Sequence, residues 1–268
     1  MRRIGALLLA TGAWMATMAA ETGVAPAANA NRIVEQNVAA RGGLEAWRRI
    51  QTMAWIGHIE SASAPDSPVT FVMQMKRPDK MRFEVTADNE KSIRAFDGNE
   101  GWKVRPPRGG KPGLLPFSPE EVRFARDSPG IDGPLIDHEV KGIGVDLEGS
   151  DEIEGRKAYR VAVKLPTGST RRVWIDAETH LEVKYDRESH DPAGRARTVS
   201  VFYRNYQAVE GLKIPMAIET GTGSGSGVER LVLDRVLLNP PVDDAQFGKP
   251  RSASLPGLPP AAATRSGS

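Results

Sequence analysis

Val69-Thr70-Phe71-Val72-Met73-Gln74-Met75-Lys76, then Arg77-Pro78-Asp79, then Lys80-Met81-Arg82-Phe83-Glu84-Val85-Thr86, is the stretch on which the fold turns. Val69, Phe71, Met73 and Met75 alternate with Thr70, Val72, Gln74 and Lys76, and Met81, Phe83 and Val85 alternate with Arg82, Glu84 and Thr86. A period of two is that of a strand with one apolar face. The connection from Lys76 to Lys80 predicts a hairpin with Met75 opposite Met81 and Phe71 opposite Val85, all on one face.

Upstream, Ile33, Val34, Val38, Leu44, Trp47 and Ile50 follow a helical period interrupted at Gly42-Gly43, which predicts one amphipathic helix or two short ones over 31–50. Downstream, strands are expected at 92–97, 101–105, 144–149, 158–165, 171–176, 181–186, 198–206, 214–220 and 228–238. Turn chemistry such as Asp97-Gly98, Glu154-Gly155 and Glu210-Gly211 separates them. Many strands on short turns, with no helices between them, imply an antiparallel sheet and disfavour Rossmann and TIM architectures.

The meander is interrupted over 105–142. Ser118-Pro119-Glu120-Glu121 is a capping box with proline at the first helical position, opening a short helix to about Arg126. A second short helix is expected from Pro134 to Lys141, ended by Gly142. Residues 249–268, rich in Pro, Ala, Ser and Gly, lack the apolar content to pack and are expected to be disordered.

Arg2-Arg3 followed by a mostly apolar stretch to Ala20 predicts a cleaved secretory signal over 1–30. The cut falls after Ala28-Asn29-Ala30 or earlier, near Ala20. The apolar stretch is shorter than the roughly 20 residues of a membrane span. Removing 1–30 takes Arg2, Arg3 and Glu21 from 36 basic and 34 acidic residues, which leaves 34 and 33. That near-neutral balance gives no nucleic-acid footprint. The 268 residues contain no cysteine, which excludes thiol nucleophiles, thiolate metal sites and the acylated cysteine of a bacterial lipoprotein. A soluble periplasmic monomer with no membrane anchor after cleavage is the expectation.

Residue-level chemistry points away from an enzyme, a metal centre or a cofactor. His58, His138, His180 and His190 are scattered and form no metal-ligand pattern. The run Gly221 to Gly227 fits no nucleotide or nucleophile motif and reads as a mobile hairpin loop, and Gly109-Gly110-Lys111 lacks the rest of a phosphate loop. Asp151, Glu152 and Glu154 could hold a cation or simply form a solvated turn. His138 between Asp137 and Glu139 would support a hydrolase only if a hydroxyl joined Asp137 and His138 within hydrogen-bond reach. The other informative feature is apolar strand surface. Phe71, Met73, Met75, Met81, Phe83, Val85, Trp102 and Trp174 are candidates to line the inner face of a curved sheet, either as a packed core or as a cavity for a flexible apolar ligand.

Taken in order, several elements resemble the LolA-like family of exported lipoprotein and lipid carriers. These are the N-terminal helix; Lys76-Arg77-Pro78-Asp79-Lys80-Met81-Arg82-Phe83; Phe96-Asp97-Gly98 with Trp102; Val173 through Leu181; and Tyr206 through Pro215. Asp132-Gly133-Pro134-Leu135-Ile136-Asp137 is similar to exported members described as lipoprotein-sorting-like. The resemblance implies one mainly β domain over 31–248, a half-open antiparallel barrel covered by an N-terminal helix and a helical lid inserted at 105–142. It also implies an apolar cavity of several hundred cubic ångströms that takes lipid or lipoprotein acyl chains between envelope donor and acceptor proteins. A sensor or scaffold that binds an envelope protein is the alternative use of the same fold.

Overall fold

The structure, a computed structural model, describes residues 26–61, 69–105, 113–128, 130–190, 195–222 and 229–250. The expected tail from 251, most of the glycine run at 221–227, Gly109-Gly110-Lys111 and the expected signal up to residue 25 lie outside the described residues. In chain order the elements are α1 (Pro26–Ala40), α2 (Leu44–Arg48), β1 (Thr52–Ser61), β2 (Val69–Lys76), β3 (Lys80–Ala87), β4 (Glu90–Phe96), β5 (Gly101–Arg105) and β6 (Gly113–Pro116). There follow α3 (Pro119–Asp127), β7 (Gly144–Ile153), β8 (Arg156–Lys164), β9 (Thr170–Asp176), β10 (Glu182–His190), β11 (Ala196–Val209), β12 (Leu212–Thr222) and β13 (Glu229–Leu238).

Among the described residues thirteen strands form one antiparallel sheet in the order β6-β5-β4-β3-β2-β1-β13-β12-β11-β10-β9-β8-β7, curved but not closed, so the half-open β-barrel read from the sequence is the architecture observed. The opening hairpin has the expected register, with Phe71 opposite Val85, Met73 opposite Phe83 and Met75 opposite Met81. Irregularities at Ile56/Gly57, Leu147/Gly149 and Glu182/Lys184 bend individual strands, as bulges do. At Gly57 the bend brings β1 so close to β13 that a Cβ would stand 1.9 Å from the Val232 carbonyl oxygen. Only glycine fits there.

The N-terminal helical region divides at Gly42 and Gly43, whose φ angles of 112° and 88° favour glycine. α1 begins at Pro26, inside the expected signal, and Ala30 is fully buried with Ile33 and Val34 against Val161, Val163, Val173 and Ile175. Of the two cleavage positions, the one near Ala20 leaves this helix whole, whereas the one after Ala30 removes a core residue.

The 105–142 insertion differs from the expected helical lid. Residues 113–116 extend the sheet as β6, and α3 forms with the Ser118 capping box intact. Residues 130–142 are successive turns, so the helix expected from Pro134 to Lys141 is absent. Asp137 sits at φ 54°, in the left-handed region, and breaks the helical path midway.

Candidate functional site

Strand alternation divides the sheet into an inner face, covered by helices and turns, and an outer face. On the inner face Phe71 and Met75 are buried in one core cluster with Trp47, Ile50, Ile131 and Ile136, while Met73, Met81, Phe83 and Val85 pack against that cluster only partly buried. The Phe71 and Phe83 rings lie 5.7 Å apart. Partly buried Trp55, Ile59, Ile218 and Leu231 from β1, β12 and β13 join the same cluster. Six of the eight sequence candidates therefore converge on one apolar surface that its covering elements leave incompletely buried.

Trp102 and Trp174 do not join them. Trp102 pairs with Ala95, which pairs with Arg82, so its ring belongs to the opposite face. There it packs with Ile93, Ala95 and Val104, and its indole N–H donates to the Phe247 carbonyl at 2.8 Å. Trp174 is opposite Arg160 and Lys184. Its indole N–H donates to Asp151 at 2.7 Å, and the Lys184 ammonium stands 4.1 Å from its ring. Both tryptophans serve outer layers.

A polar cleft of about 680 Å³ opens between α3 and the ends of β9 and β10. Its walls include Arg94, Glu121, Arg123, Phe124, Arg171 and Arg187. The sequence expectation was an apolar cavity, and the sequence reading missed this arginine set. Its only local signal is that Arg94, Arg171 and Arg187 interrupt apolar inner-face alternation.

α3 is pinned over this end by charge. Lys103 donates to both Glu121 oxygens at 2.7 and 2.6 Å, and Arg94 donates to one at 2.9 Å. Burial by itself would raise the Glu121 carboxyl, but these cations and the Ser118 N–H outweigh it and bring it from 4.5 to about 2. A carboxyl depressed on folding stabilises above its unfolded value and loses that contribution as pH falls through its folded one. The attachment of α3 should therefore weaken as pH falls from 4.5 towards about 2. Amide hydrogen exchange in 117–128, measured against β8, checks this, and Glu121→Gln should remove the pH-dependent part. A wild-type profile unchanged across that window would refute the assignment.

The turns at 130–142 are held by a second, more buried network. The Asp132 carboxylate, 1% exposed as a residue, accepts from Arg77 at 2.6 Å and Lys141 at 2.5 Å. Arg41, at the end of the first helical segment, donates through Nη1 to the Asp132 carbonyl at 2.9 Å and to Glu182 at 3.0 Å. Burial raises the Glu182 carboxyl although Arg41 opposes it, and burial lowers the Lys141 ammonium. Arg48 makes a two-point contact with Asp137 at 2.6 and 2.8 Å and depresses that carboxyl. Asp137 is thus engaged by arginine, and His138 Nδ1 contacts the Ile143 carbonyl at 3.1 Å. These contacts do not make the arrangement a hydrolase would need. In the acidic turn Asp151 is held by Arg160 and Glu154 by Arg204. Among the described residues no group of three or more His, Asp or Glu could hold a metal ion, and no helix is long and apolar enough to cross a membrane.

No family model and no curated protein matches this chain. Solved structures do. A DUF1329 family protein from Desulfovibrio piger ATCC 29098 is 11% identical, with a TM-score of 0.53 over 84% of this chain and 98% of its own. A LolA superfamily protein from Nitrosomonas europaea is 15% identical, with a TM-score of 0.50 over 82% of this chain and 97% of its own. At such identities the likeness is one of fold, and it matches the resemblance read from the motifs.

Proposed function

The chain carries a LolA-like fold, and from that premise we propose that it is a soluble, exported periplasmic carrier for lipid or lipoprotein acyl chains. The observation that carries this reading is the incompletely buried apolar surface of Met73, Met81, Phe83 and Val85, continued by Ile59, Ile218 and Leu231. Ordinary cores bury such residues. An inner sheet face that leaves them partly accessible under detachable covers suits a guest that comes and goes.

Removing roughly 14 methylenes from water stabilises by on the order of 10 kcal/mol before ordering costs, which is sufficient to retain an acyl chain in water. The 130–142 turns and α3 act as covers, each fastened by ion pairs that can exchange for water when the cover lifts. Release requires only an acceptor with greater affinity. Trp47, the Arg77–Asp132 pair and the hairpins position the face, and no covalent step is involved.

Native mass spectrometry of the mature protein from its own envelope tests the proposal. A bound species of lipid mass is expected, and Phe83→Asp should reduce its occupancy at least about tenfold. Protein recovered without lipid, and unable to bind an added acyl probe, would defeat the carrier reading; an envelope protein crosslinked in its place would turn attention to the sensor or scaffold. The same spectrum should give a mature mass that retains Ala30.

A further inference from the structure

We infer that the cleft between α3 and the β9–β10 ends is a headgroup site for an amphiphile with an anionic phosphate, held by Arg171 and Arg187. The inference deepens the carrier reading and rests on it. Arg171 is 7% exposed, yet it lines the cleft. Among the described residues no carboxylate lies within ion-pair distance of its guanidinium: the Tyr185 ring stands 6.0 Å away, and the cleft carboxylate Asp127 attracts it only from beyond ion-pair distance. A buried cation without a counter-ion is unfavourable unless an anion completes it.

The other cleft groups leave Arg171 as the cation to be matched. Glu121 is already neutralised by Lys103 and Arg94. The Asp127 carboxylate accepts from the Thr167 hydroxyl, which fixes it away from direct contact with Arg171 without cancelling its charge. Glu120 and Glu188 have partners of their own. Arg187, on β10 next to the Arg171 strand, lies with its guanidinium 4.7 Å from the Phe124 ring of α3. Planar guanidinium forks facing one space match the oxygens of a phosphate better than point-charge ammonium groups do.

The shape of the surroundings favours an amphiphile over a bare ion. About 680 Å³ exceeds what a phosphate fills. On the β4 side Arg94 pairs across the strands with Phe83, so the arginine wall adjoins the partly buried apolar surface. An anionic head at Arg171 therefore leaves a tail an apolar neighbour on that side.

Fluorescence or calorimetric titration of the full mature chain with dioctanoyl phosphatidic acid, dioctanoylglycerol and inorganic phosphate tests this. Phosphatidic acid should bind at least about tenfold more tightly than the neutral diacylglycerol. Arg171→Gln should abolish that preference while leaving diacylglycerol binding and thermal stability unchanged or improved, a pattern that a merely structural arginine would not give. Equal affinity for the two lipids would overturn the headgroup site and leave the carrier standing. Failure of both lipids to bind would overturn both. Inorganic phosphate binding as tightly as phosphatidic acid would overturn the amphiphile in favour of a free anion.

Discussion

Asp132→Ala should destabilise the protein by about 3–5 kcal/mol, since removal of one partner leaves buried opposite charges uncompensated. Arg77 and Lys141 both bond this single carboxylate, whose side chain is 2% exposed. Among the described residues neither cation pairs with another carboxylate. The turns that carry Asp132 also supply Ile131 and Ile136 to the main core, so their loosening is felt beyond the charges. Urea unfolding gives the free energy, and hydrogen exchange over 130–142 should rise with it. Replacing the triad together, with Asp132→Leu, Arg77→Met and Lys141→Met, should recover much of the loss, because an apolar cluster needs no counter-ion. A single-mutant cost below about 1 kcal/mol would mean that water already enters the network, and the fastening assigned to it would be wrong.

Trp47→Ala should cost a similar 3–5 kcal/mol, the range for deleting a large buried aromatic side chain. Trp47 is 1% exposed, lies in the cluster that contains Phe71 and Met75, and donates its indole N–H to the Arg41 carbonyl at 3.1 Å. Its ring also supports the Arg41 guanidinium at 4.5 Å. The variant should melt on the order of 10 °C lower. It should also uncover the acyl surface, so an apolar fluorescent probe should bind it faster than wild type even below the transition. Trp47→Phe keeps most of the volume but removes one of the two donors to the Arg41 carbonyl, the Lys213 N–H remaining at 3.0 Å, and should fall between the two. A melting point unchanged in Trp47→Ala would contradict the placement of α2 over the core.

The hairpin at 69–85 was legible because its register depends only on local alternation and one short connection. The same logic failed at the next turn. Four residues, Asp97-Gly98-Asn99-Glu100, put Phe96 opposite Gly101, and this assigns Phe96 to the inner face and Trp102 to the outer one. Aromatic identity alone cannot report that parity. Trp174 was misplaced for the same reason, since it alternates with inner-face Val173 and Ile175. At 134–141 the apolar spacing suggested a helix, but Asp137 takes a left-handed conformation while Arg48 holds its carboxylate in two-point contact. The arginine cleft was illegible because it joins β4, α3, β9 and β10, which only the curvature of the finished sheet brings together.

The strand order also says how the chain can reach this state. Eleven of the twelve neighbouring strand pairs are consecutive in sequence, and the exception is β1 with β13. The sheet is therefore two local meanders that run outwards from one seam, where Met53 faces Leu238 and Ile59 faces Leu231. Each wing can zip from its own turns with short loop closures, and the entropy of joining distant segments falls on the seam alone. With the chain emerging from its N-terminus, the first wing has its strands in hand before β13 exists. Until the last strand arrives, β1 is an unprotected edge, and the time that edge stays open is the interval in which the nascent protein is most exposed to mispairing.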